Sequence, residues 1–331
     1  MKRMMGIVNL VNEPDDLEEL TYTRCIASVP FGSRYRLIDF ILSNMVNSRI
    51  ENVSVFTQHK YRSLMDHLGS GKEWDLDRKQ GGLFLLPAVT HEMSGMSRGD
   101  LFQFYNHRDY LYRGREEFVV IARSHVVCSI DFNDLLNEHL DKNADITVVY
   151  AKSAEDECSS FRRLAVKEDG QITVIEDHTG RLRTDNISLE MYVMSKGLLL
   201  DMVESCLAQG YDDLVRDGIM KNIGKLGVYG YLHRGYAGIV NTVQSYYKHS
   251  MQLLHPSIWR ELFFSPKPSD LYENQRRAAR PLRRKRPRPQ RADRQRLRRR
   301  REGREQHIVP GRQYSQGRVC EEQHHFAKLR D

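Results

Sequence analysis

The first residues with chemical potential are two arginines, Arg34 and Arg36, on either side of a tyrosine in VPFGSRYRLIDFILSN, Val29 to Asn44. A guanidinium group presents forked N–H donors that match phosphate oxygens, so one interpretation of this pair is phosphate contact. The other interpretation is a structural or solvated pair. The sequence favours the structural interpretation, because no glycine-rich phosphate-binding loop precedes the pair.

Three further polar residues lie beside strand-like runs and could contact a ligand. Glu176 ends ITVIE, Ser188 begins SLEMYVM, and His125 closely follows EFVVIA. Glu176 and Ser188 could hydrogen-bond a sugar or nucleotide effector, but their retention as part of the scaffold is favoured. His125 could be a remaining ligand residue, although a histidine beside a strand end is more often hydrogen-bonded scaffold.

These residues must be positioned by short β-branched runs that alternate with longer segments of helical period. The predicted strands are Met4–Val11, Asn52–Thr57, Glu117–Ala122, Ile146–Ala151, Ile172–Glu176 and Gly227–His233. The predicted helices are Tyr35–Asn47, Phe132–Leu140 and Lys196–Leu207. This alternation predicts an α/β domain with a mixed, mostly parallel sheet, whose ligands lie beyond the carboxyl ends of the strands.

Charge is distributed unevenly along the 331 residues. The net charge is +7, but residues 274–331 carry 20 basic and 6 acidic residues, a net +14, which leaves −7 for residues 1–273. The five cysteines show no metal-ligand spacing and are expected to be reduced and mostly buried: Cys25, Cys128, Cys158, Cys206 and Cys320. No signal peptide is expected after the basic N-terminal tip, and no run reaches 18 apolar residues, which predicts a cytoplasmic protein without membrane contact.

The segment from Val29 to Asn44 resembles the VPFGGKYRLIDFPLSN segment of bacterial glucose-1-phosphate adenylyltransferases. Further landmarks follow in the family's order: SHVVCSIDF, VIE, SLEMYVM and NTVQSYYKHSMQLL. The resemblance covers about 80% of the chain. It implies a Rossmann-like nucleotidyltransferase domain at residues 1–265, in which a sugar phosphate attacks the α-phosphorus of ATP and pyrophosphate leaves.

Several positions depart from what this chemistry needs. NLVNEPDD, 9–16, stands where the family has its glycine-rich loop, and Ile26 stands where a lysine is expected. Ser124 and Ile239 replace the two aspartates that hold Mg²⁺ in the family, and Asp177 replaces a phosphate-binding lysine.

The run GDLFQF, which begins at Gly99, stands where the family has a GTADAV run that contacts nucleotide and sugar. The resemblance therefore leaves Glu176, Ser188, Arg34 and Gly99 as candidate substrate- or effector-binding residues, with no catalytic residue and no metal ligand in this chain.

The resemblance implies a non-catalytic, D-type regulatory subunit of ADP-glucose synthesis from ATP and glucose 1-phosphate in glycogen biosynthesis. Its expected partner is the catalytic subunit, which would hold the Mg²⁺, and a sugar-phosphate or nucleotide effector is a further expected ligand. One rival is an active nucleotidyltransferase with relocated metal ligands. A second rival is a protein that binds nucleic acid through its basic tail.

That tail, 274–331, follows a short junction at 266–273, where family members continue into a left-handed β-helix that is expected to be absent here. Its arginine-rich composition predicts disorder, because it cannot bury enough apolar surface to fold alone. One hypothesis is a frameshift near residues 268–274. Nucleic-acid binding by the tail is expected to be adventitious, since no aromatic residue for base stacking lies between Asn274 and Pro310.

Overall fold

The computed structural model describes residues 3–13, 17–89, 99–153, 161–177 and 184–264. Its strands are β1 Met4–Asn9, β2 Pro30–Phe31, β3 Tyr35–Arg36, β4 Asn52–Thr57, β5 Gly82–Pro87, β6 Phe118–Ala122, β7 Val126–Cys128, β8 Ile146–Lys152, β9 Arg163–Val166, β10 Ile172–Glu176, β11 Asn186–Ser195, β12 Val228–Leu232 and β13 Ala237–Ile239. The α-helices are α1 Leu37–Asn47, α2 Arg62–Leu68, α3 Asp100–Asn106, α4 Arg108–Arg113, α5 Phe132–Asp141, α6 Lys196–Ala208, α7 Val243–Gln252 and α8 Pro256–Phe263. Shorter helical turns cover Glu18–Thr21, Ile26–Ser28, Lys72–Trp74, Leu214–Ile219 and Met220–Asn222.

The central sheet has the strand order β12-β8-β11-β6-β1-β4-β5. β1 runs parallel to β4 and β6, β4 runs parallel to β5, and β12 runs parallel to β8. The long strand β11 is antiparallel to β6 and β8, and the antiparallel pair β9–β10 joins the sheet beside the first residues of β11. The predicted α/β fold with a mixed, mostly parallel sheet is confirmed.

The two faces of the sheet are covered by different helices because the central strands are apolar on both sides. On one face, Ile38, Ile41 and Met45 of α1 and Phe132 and Leu135 of α5 pack against the strands. On the other face, the packing side chains come from α3 and α6, and include Leu101, Phe104, Leu199 and Val203. A third cluster joins the β2–β3 hairpin to α7 and α8 through Phe31, Phe40, Leu253 and Leu262.

The predicted elements agree with the structure to within two residues at each end, with β4 and β10 matching at both ends. The first strand ends at Asn9, earlier than predicted, because the amide of Val11 turns onto the Asn9 side chain. The sequence pattern gave no separate prediction of β11 as a strand, and this strand makes the sheet mixed.

Two predictions about compartment and thiols can be compared with the described residues. Cys128 and Cys206 are buried and Cys25 is partly buried, all as free thiols, whereas Cys158 and Cys320 lie outside the described residues. No helix within the described ranges is long and apolar enough to cross a membrane. The end of the first domain, the junction and the tail lie beyond residue 264 and outside the described residues.

Candidate functional site

The carboxyl ends of β1 and β6 meet at one edge of the sheet, where α/β proteins commonly bind ligands. Because β11 is antiparallel to β6, its first residues extend past this edge. We define the β1–β6 site as the set of residues that meet there: Asn9–Glu13, Asp100, Arg123, Ser124, Arg162, Ser188 and Glu190.

The backbone amides that follow β1 are occupied by acceptors of the protein itself. The N–H of Leu10 donates to the carbonyl of Phe56 at 2.9 Å, and the N–H of Val11 donates to Asn9 Oδ1 at 3.1 Å. The N–H of Asn12 donates to Gln58 Oε1 at 2.9 Å. A phosphate-binding loop needs several free amides that converge on one anion. The amides of Leu10, Val11 and Asn12 are instead engaged by three different acceptors.

Arg123 occupies the space between this loop and β11. Its side chain is about 8% exposed, and Nη1 donates to the carbonyls of Asn9 and Val11. Its Nε lies 3.3 Å from Glu190 Oε2, and its Nη2 lies 4.0 Å from Asp100 Oδ2. A buried cation therefore ties the loop to the strand on the opposite side of the site.

Glu13 binds the residue that follows Arg123. One of its carboxylate oxygens accepts the N–H of Ser124 at 2.6 Å, and the Ser124 hydroxyl lies 2.8 and 2.9 Å from the two oxygens. His125 Nδ1 is 3.5 Å from the same carboxylate. The side chains of Glu13, Ser124 and His125 are all buried; Glu13 and Ser124 satisfy each other, whereas His125 Nδ1 makes no hydrogen bond among the described residues. We call the first two residues the Glu13–Ser124 pair.

A second buried arginine extends the ion pairing beyond Glu190. Arg162 Nη1 lies 3.1 Å from Glu190 Oε1, and Arg162 Nε lies 2.8 Å from Asp177 Oδ1. Burial acts to lower the pKa of Arg162, but Glu190, Tyr192 and Asp177 raise that pKa overall. We call Arg123, Glu190, Arg162 and Asp177 the arginine network; within it, each guanidinium contacts at least one carboxylate.

Asp100, at the start of α3, closes the other side of the site. Its carboxylate accepts Asn9 Nδ2 at 2.8 Å and the N–H of Leu214 at 2.8 Å. Burial raises the pKa of Asp100 to about 6, although Arg123 acts to lower it. The neighbouring Gly99 is required by a close approach, because a Cβ there would collide with the carbonyl oxygen of Asp212.

The predicted ligand residues Ser188, Gly99 and Glu176 differ in how closely they lie to the centre of the β1–β6 site. Ser188 is buried within the site, where its Oγ accepts the N–H of Glu190 at 3.1 Å. Gly99 caps α3 beside Asp100, and its N–H donates to Asp212 Oδ2 at 3.2 Å. Glu176 ends β10 and is partly buried, one residue before Asp177 of the arginine network. The structure therefore brings Ser188 into the site and places Gly99 and Glu176 at its margins.

Arg34 and Arg36 lie away from the β1–β6 site. Arg34 is exposed in the β2–β3 turn, where Nη2 donates to the Tyr35 hydroxyl at 2.8 Å. Arg36 Nη1 donates to the carbonyl and hydroxyl of Ser63 at 2.7 and 2.9 Å, so this side chain fastens α1 to α2. These contacts agree with the structural interpretation of the pair.

The two positions at which the resemblance places metal ligands do not suit Mg²⁺. Ile239 is buried in β13 opposite Val126 and offers a hydrocarbon side chain. The Ser124 hydroxyl is held by Glu13, and the Arg123 guanidinium beside it adds a positive charge. Among the described residues, no group of three or more His, Cys, Asp and Glu side chains could hold a metal ion. Mg²⁺ requires oxygen ligands, so the residues present do not fit this ion.

Sequence reasoning missed Arg162 and Glu190, which lie in the centre of the network. The available signal was a charged residue in each of two apolar strand contexts, FRRLAV and SLEMYVM. Such a residue is seldom buried without a partner of opposite charge. Sequence reasoning did identify Asp177 as an anion at a position of interest, but it could not supply the cation that Asp177 contacts.

The domain is an α/β sheet whose central strands are parallel and whose candidate site lies at the carboxyl ends of β1 and β6. This arrangement is typical of a nucleotidyltransferase-like domain. The nucleotidyl transferase family matches residues 16–212, and the chain belongs to this family.

The relatives of the chain are consistent with the resemblance to D-type proteins. It is 36% identical over 268 residues to the glycogen biosynthesis protein GlgD of Bacillus subtilis (strain 168), and 39% identical over 267 residues to GlgD of Geobacillus stearothermophilus. Each match covers 80% of this chain and 68% of the GlgD protein. The glucose-1-phosphate adenylyltransferase of Thermomicrobium roseum is 35% identical over 242 residues, which cover 72% of this chain and 56% of that enzyme.

Proposed function

We propose that this chain is a regulatory, non-catalytic subunit of a glucose-1-phosphate adenylyltransferase in cytoplasmic glycogen biosynthesis. The observation that supports this most is the arginine network together with the Glu13–Ser124 pair. These side chains occupy the β1–β6 site and satisfy one another there. The same region would have to hold ATP and the sugar phosphate in an active member of the family.

The charge of the site supports the same proposal. Four carboxylates, those of Glu13, Asp100, Asp177 and Glu190, meet two guanidinium groups there. The sum is negative, and nearby charges of the same sign repel strongly at a poorly solvated site. ATP would bring further negative charge into this set, and the described residues form no group of side chains that could hold a Mg²⁺ ion to offset it. We therefore assign the Mg²⁺ of the reaction to the catalytic partner subunit and none to this chain.

In this proposal the chain acts by association. The catalytic glucose-1-phosphate adenylyltransferase subunit makes ADP-glucose and diphosphate from ATP and glucose 1-phosphate, and this chain modulates it within a hetero-oligomer. The name of the GlgD relatives supports the pathway, and the names of the other relatives support the reaction. A sugar phosphate or nucleotide is the proposed effector.

Pyrophosphate release tests the absence of catalysis. The purified full-length chain is incubated with ATP, glucose 1-phosphate and Mg²⁺, beside a catalytic glucose-1-phosphate adenylyltransferase as positive control. We expect release no faster than in a reaction without protein. Mg²⁺-dependent release at a rate comparable to the control would overturn the proposal in favour of an enzyme with relocated metal ligands.

Co-purification tests the regulatory role separately. The full-length chain is co-expressed with the catalytic subunit from the same organism, and a tag on one chain is used to isolate both. We expect a hetero-oligomer whose apparent affinity for effector or substrate differs from that of the catalytic subunit alone. If the two chains separate and mixing leaves the activity unchanged, the regulatory role is wrong even though the chain itself is inactive.

A further inference from the structure

A second region at the carboxyl edge of the same sheet forms a cavity of about 540 Å³. It lies beyond the ends of the parallel neighbours β8 and β12, and α7 contributes another wall. We call it the β8–β12 pocket. Its apolar lining includes Phe161, Ile187 and Ile239. A volume of this size is typical of small-molecule sites.

Two cations at or just beyond the ends of the neighbouring strands β8 and β12 line this pocket. Tyr150 of β8 pairs with Leu232 of β12, and the N–H of His233 donates to the Tyr150 carbonyl at 2.8 Å. Lys152 and Arg234 each follow two residues after this aligned pair, and both line the pocket. Both side chains are exposed, and neither makes an ion pair or hydrogen bond with another described residue. Two neighbouring like charges repel each other unless an anion joins them.

The remaining polar wall is held in place by its own contacts. Lys248 of α7 adds a third positive charge to the lining. The Tyr236 hydroxyl lies 2.9 Å from His249 Nδ1 and 3.0 Å from Gln252 Oε1, which fixes this side of the pocket. The nearby carboxylate of Glu261 accepts the N–H of Tyr236 and keeps its negative charge. The pocket thus combines an apolar floor with a cationic rim.

We propose that the β8–β12 pocket binds a phosphorylated small metabolite, with its phosphate between Lys152 and Arg234 and its body against the apolar floor. Guanidinium and ammonium groups are the usual partners of phosphate oxygens, and adjacent cations gain most from a doubly charged phosphomonoester. The body of the ligand is a hexose or a nucleoside, because both present an apolar face to a ring such as that of Phe161. The lining of this pocket shares no residue with the β1–β6 site. The ligand is of the class proposed above for the effector, so a regulatory role for this pocket rests on the proposed function, whereas phosphate binding itself does not.

The sequence contains a competitor that the experiment must address. Glu155, Asp156 and Glu157 follow Lys152 closely in the chain and lie outside the described residues. If these carboxylates compete for the rim cations, their replacement by Gln, Asn and Gln tightens phosphate binding. If the phosphate instead binds through a metal ion that these carboxylates hold, the same replacement abolishes phosphate binding.

The test is calorimetric titration of the full-length chain with glucose 6-phosphate and with AMP, with glucose and adenosine as uncharged controls. The titration is run at low salt and again at about 0.5 M salt, because non-specific attraction of phosphate to the arginine-rich tail is screened at the higher ionic strength. We expect saturable binding of at least one phosphomonoester and none of its uncharged control. The preferred one of the two identifies the body of the ligand.

Two double variants with the same change in charge locate the binding. Lys152→Gln with Arg234→Gln is expected to weaken it by about tenfold or more. Arg62→Gln with Lys79→Gln removes two exposed cations elsewhere and is expected to leave binding unchanged. Equal effects of the two double variants, the absence of saturable binding, or loss of binding when residues 155–157 are neutralised would each overturn the proposal.

Discussion

Two groups of cations lie at the carboxyl ends of the same sheet, and they differ in what neutralises them. Arg123 and Arg162 at the β1–β6 site are buried and lie within 3.3 Å of a carboxylate oxygen. Lys152 and Arg234 at the β8–β12 pocket are exposed and have no such partner among the described residues. The first group belongs to the folded structure, whereas the second remains available to a ligand from outside.

The two groups of cations differ in how easily an outside ligand could reach them. Burying an arginine beside a carboxylate is stable only when both charges and their hydrogen bonds are satisfied. Once this is achieved, as between Arg162 and Glu190, an incoming ligand would have to replace several contacts at once. A pair of exposed cations imposes no such requirement. Removal of a positive charge is therefore expected to lower the free energy of unfolding at the β1–β6 site, and to weaken phosphate binding without loss of stability at the β8–β12 pocket.

The largest expected effect comes from Arg123→Met. This change leaves Glu190 with one fewer cation and the carbonyls of Asn9 and Val11 without their buried donor. We expect a loss of about 3 to 5 kcal/mol in the free energy of unfolding, measured by urea denaturation. Arg78→Met is the control, because Arg78 pairs with Glu51 and Asp75 at the surface and is expected to contribute less than about 1 kcal/mol. Similar losses in the two variants would remove the distinction between the buried and exposed cations.

The next largest effect is a dependence on pH that comes from Asp100. Its folded-state pKa of about 6 lies above the ordinary value of 3.8, so the folded chain binds its proton more tightly than the unfolded chain. This contribution to stability is present below about pH 4 and is lost as the pH rises through about 6. Asp100→Asn removes the titration. We expect the stability of this variant, relative to the unaltered chain, to rise by up to about 3 kcal/mol between pH 4 and pH 7.

Two charged neighbours of Asp100 affect the pKa that this experiment measures. Arg123 and Asp213 are the charges that act on this carboxyl group, in opposite directions. Because the difference between the two proteins is taken at each pH, titration of other groups cancels. If the difference in the free energy of unfolding between the two proteins stays constant from pH 4 to pH 7, Asp100 is not desolvated. The β1–β6 site would then be open to water, as the β8–β12 pocket is.

A smaller effect is expected at the Glu13–Ser124 pair. Glu13→Ala leaves the buried N–H and hydroxyl of Ser124 without their acceptor, which costs about 1 to 3 kcal/mol. Glu13→Gln retains one oxygen acceptor and is expected to cost less. Thermal or urea unfolding of both variants measures the two values. If alanine is tolerated as well as glutamine, the pair does not close the site.

The smallest effect on stability is expected at the β8–β12 pocket. Lys152→Gln with Arg234→Gln breaks no ion pair between described residues and removes two positive charges from the pocket lining. We expect the free energy of unfolding to change by less than about 0.5 kcal/mol in the absence of added phosphate. A loss of several kcal/mol would show that these cations are structural, as Arg123 is.

The sequence predicts the scaffold well because the scaffold depends on local patterns. The strand Asn52–Thr57 and the helix that begins near Tyr35 follow from side-chain periodicity within a few residues. The departures at Ser124 and Ile239 were also accessible to sequence reasoning, because each differs from the residue type that the resemblance implies within a recognisable segment.

The contents of the site could not be predicted in the same way. The Arg162–Glu190 contact joins residues 28 apart in sequence, and the contact of Arg123 with Asn9 spans 114 residues. The first contact depends on β11 lying beside β9, and the second depends on the pairing of β1 with β6; no local pattern specifies either pairing. The same holds for the neighbouring cations Lys152 and Arg234, which are brought together by the pairing of β8 with β12.

Photoaffinity labelling with 8-azido-ATP, followed by peptide mapping, tests most directly whether the β1–β6 site is filled. Mapping separates labelling of this site from labelling of the basic tail, and a catalytic glucose-1-phosphate adenylyltransferase serves as positive control. We predict no Mg²⁺-dependent, ATP-competed labelling of peptides that contain residues 9–13, 99–104 or 123–125. Labelling of those peptides that requires Mg²⁺ and is displaced by ATP would contradict the account.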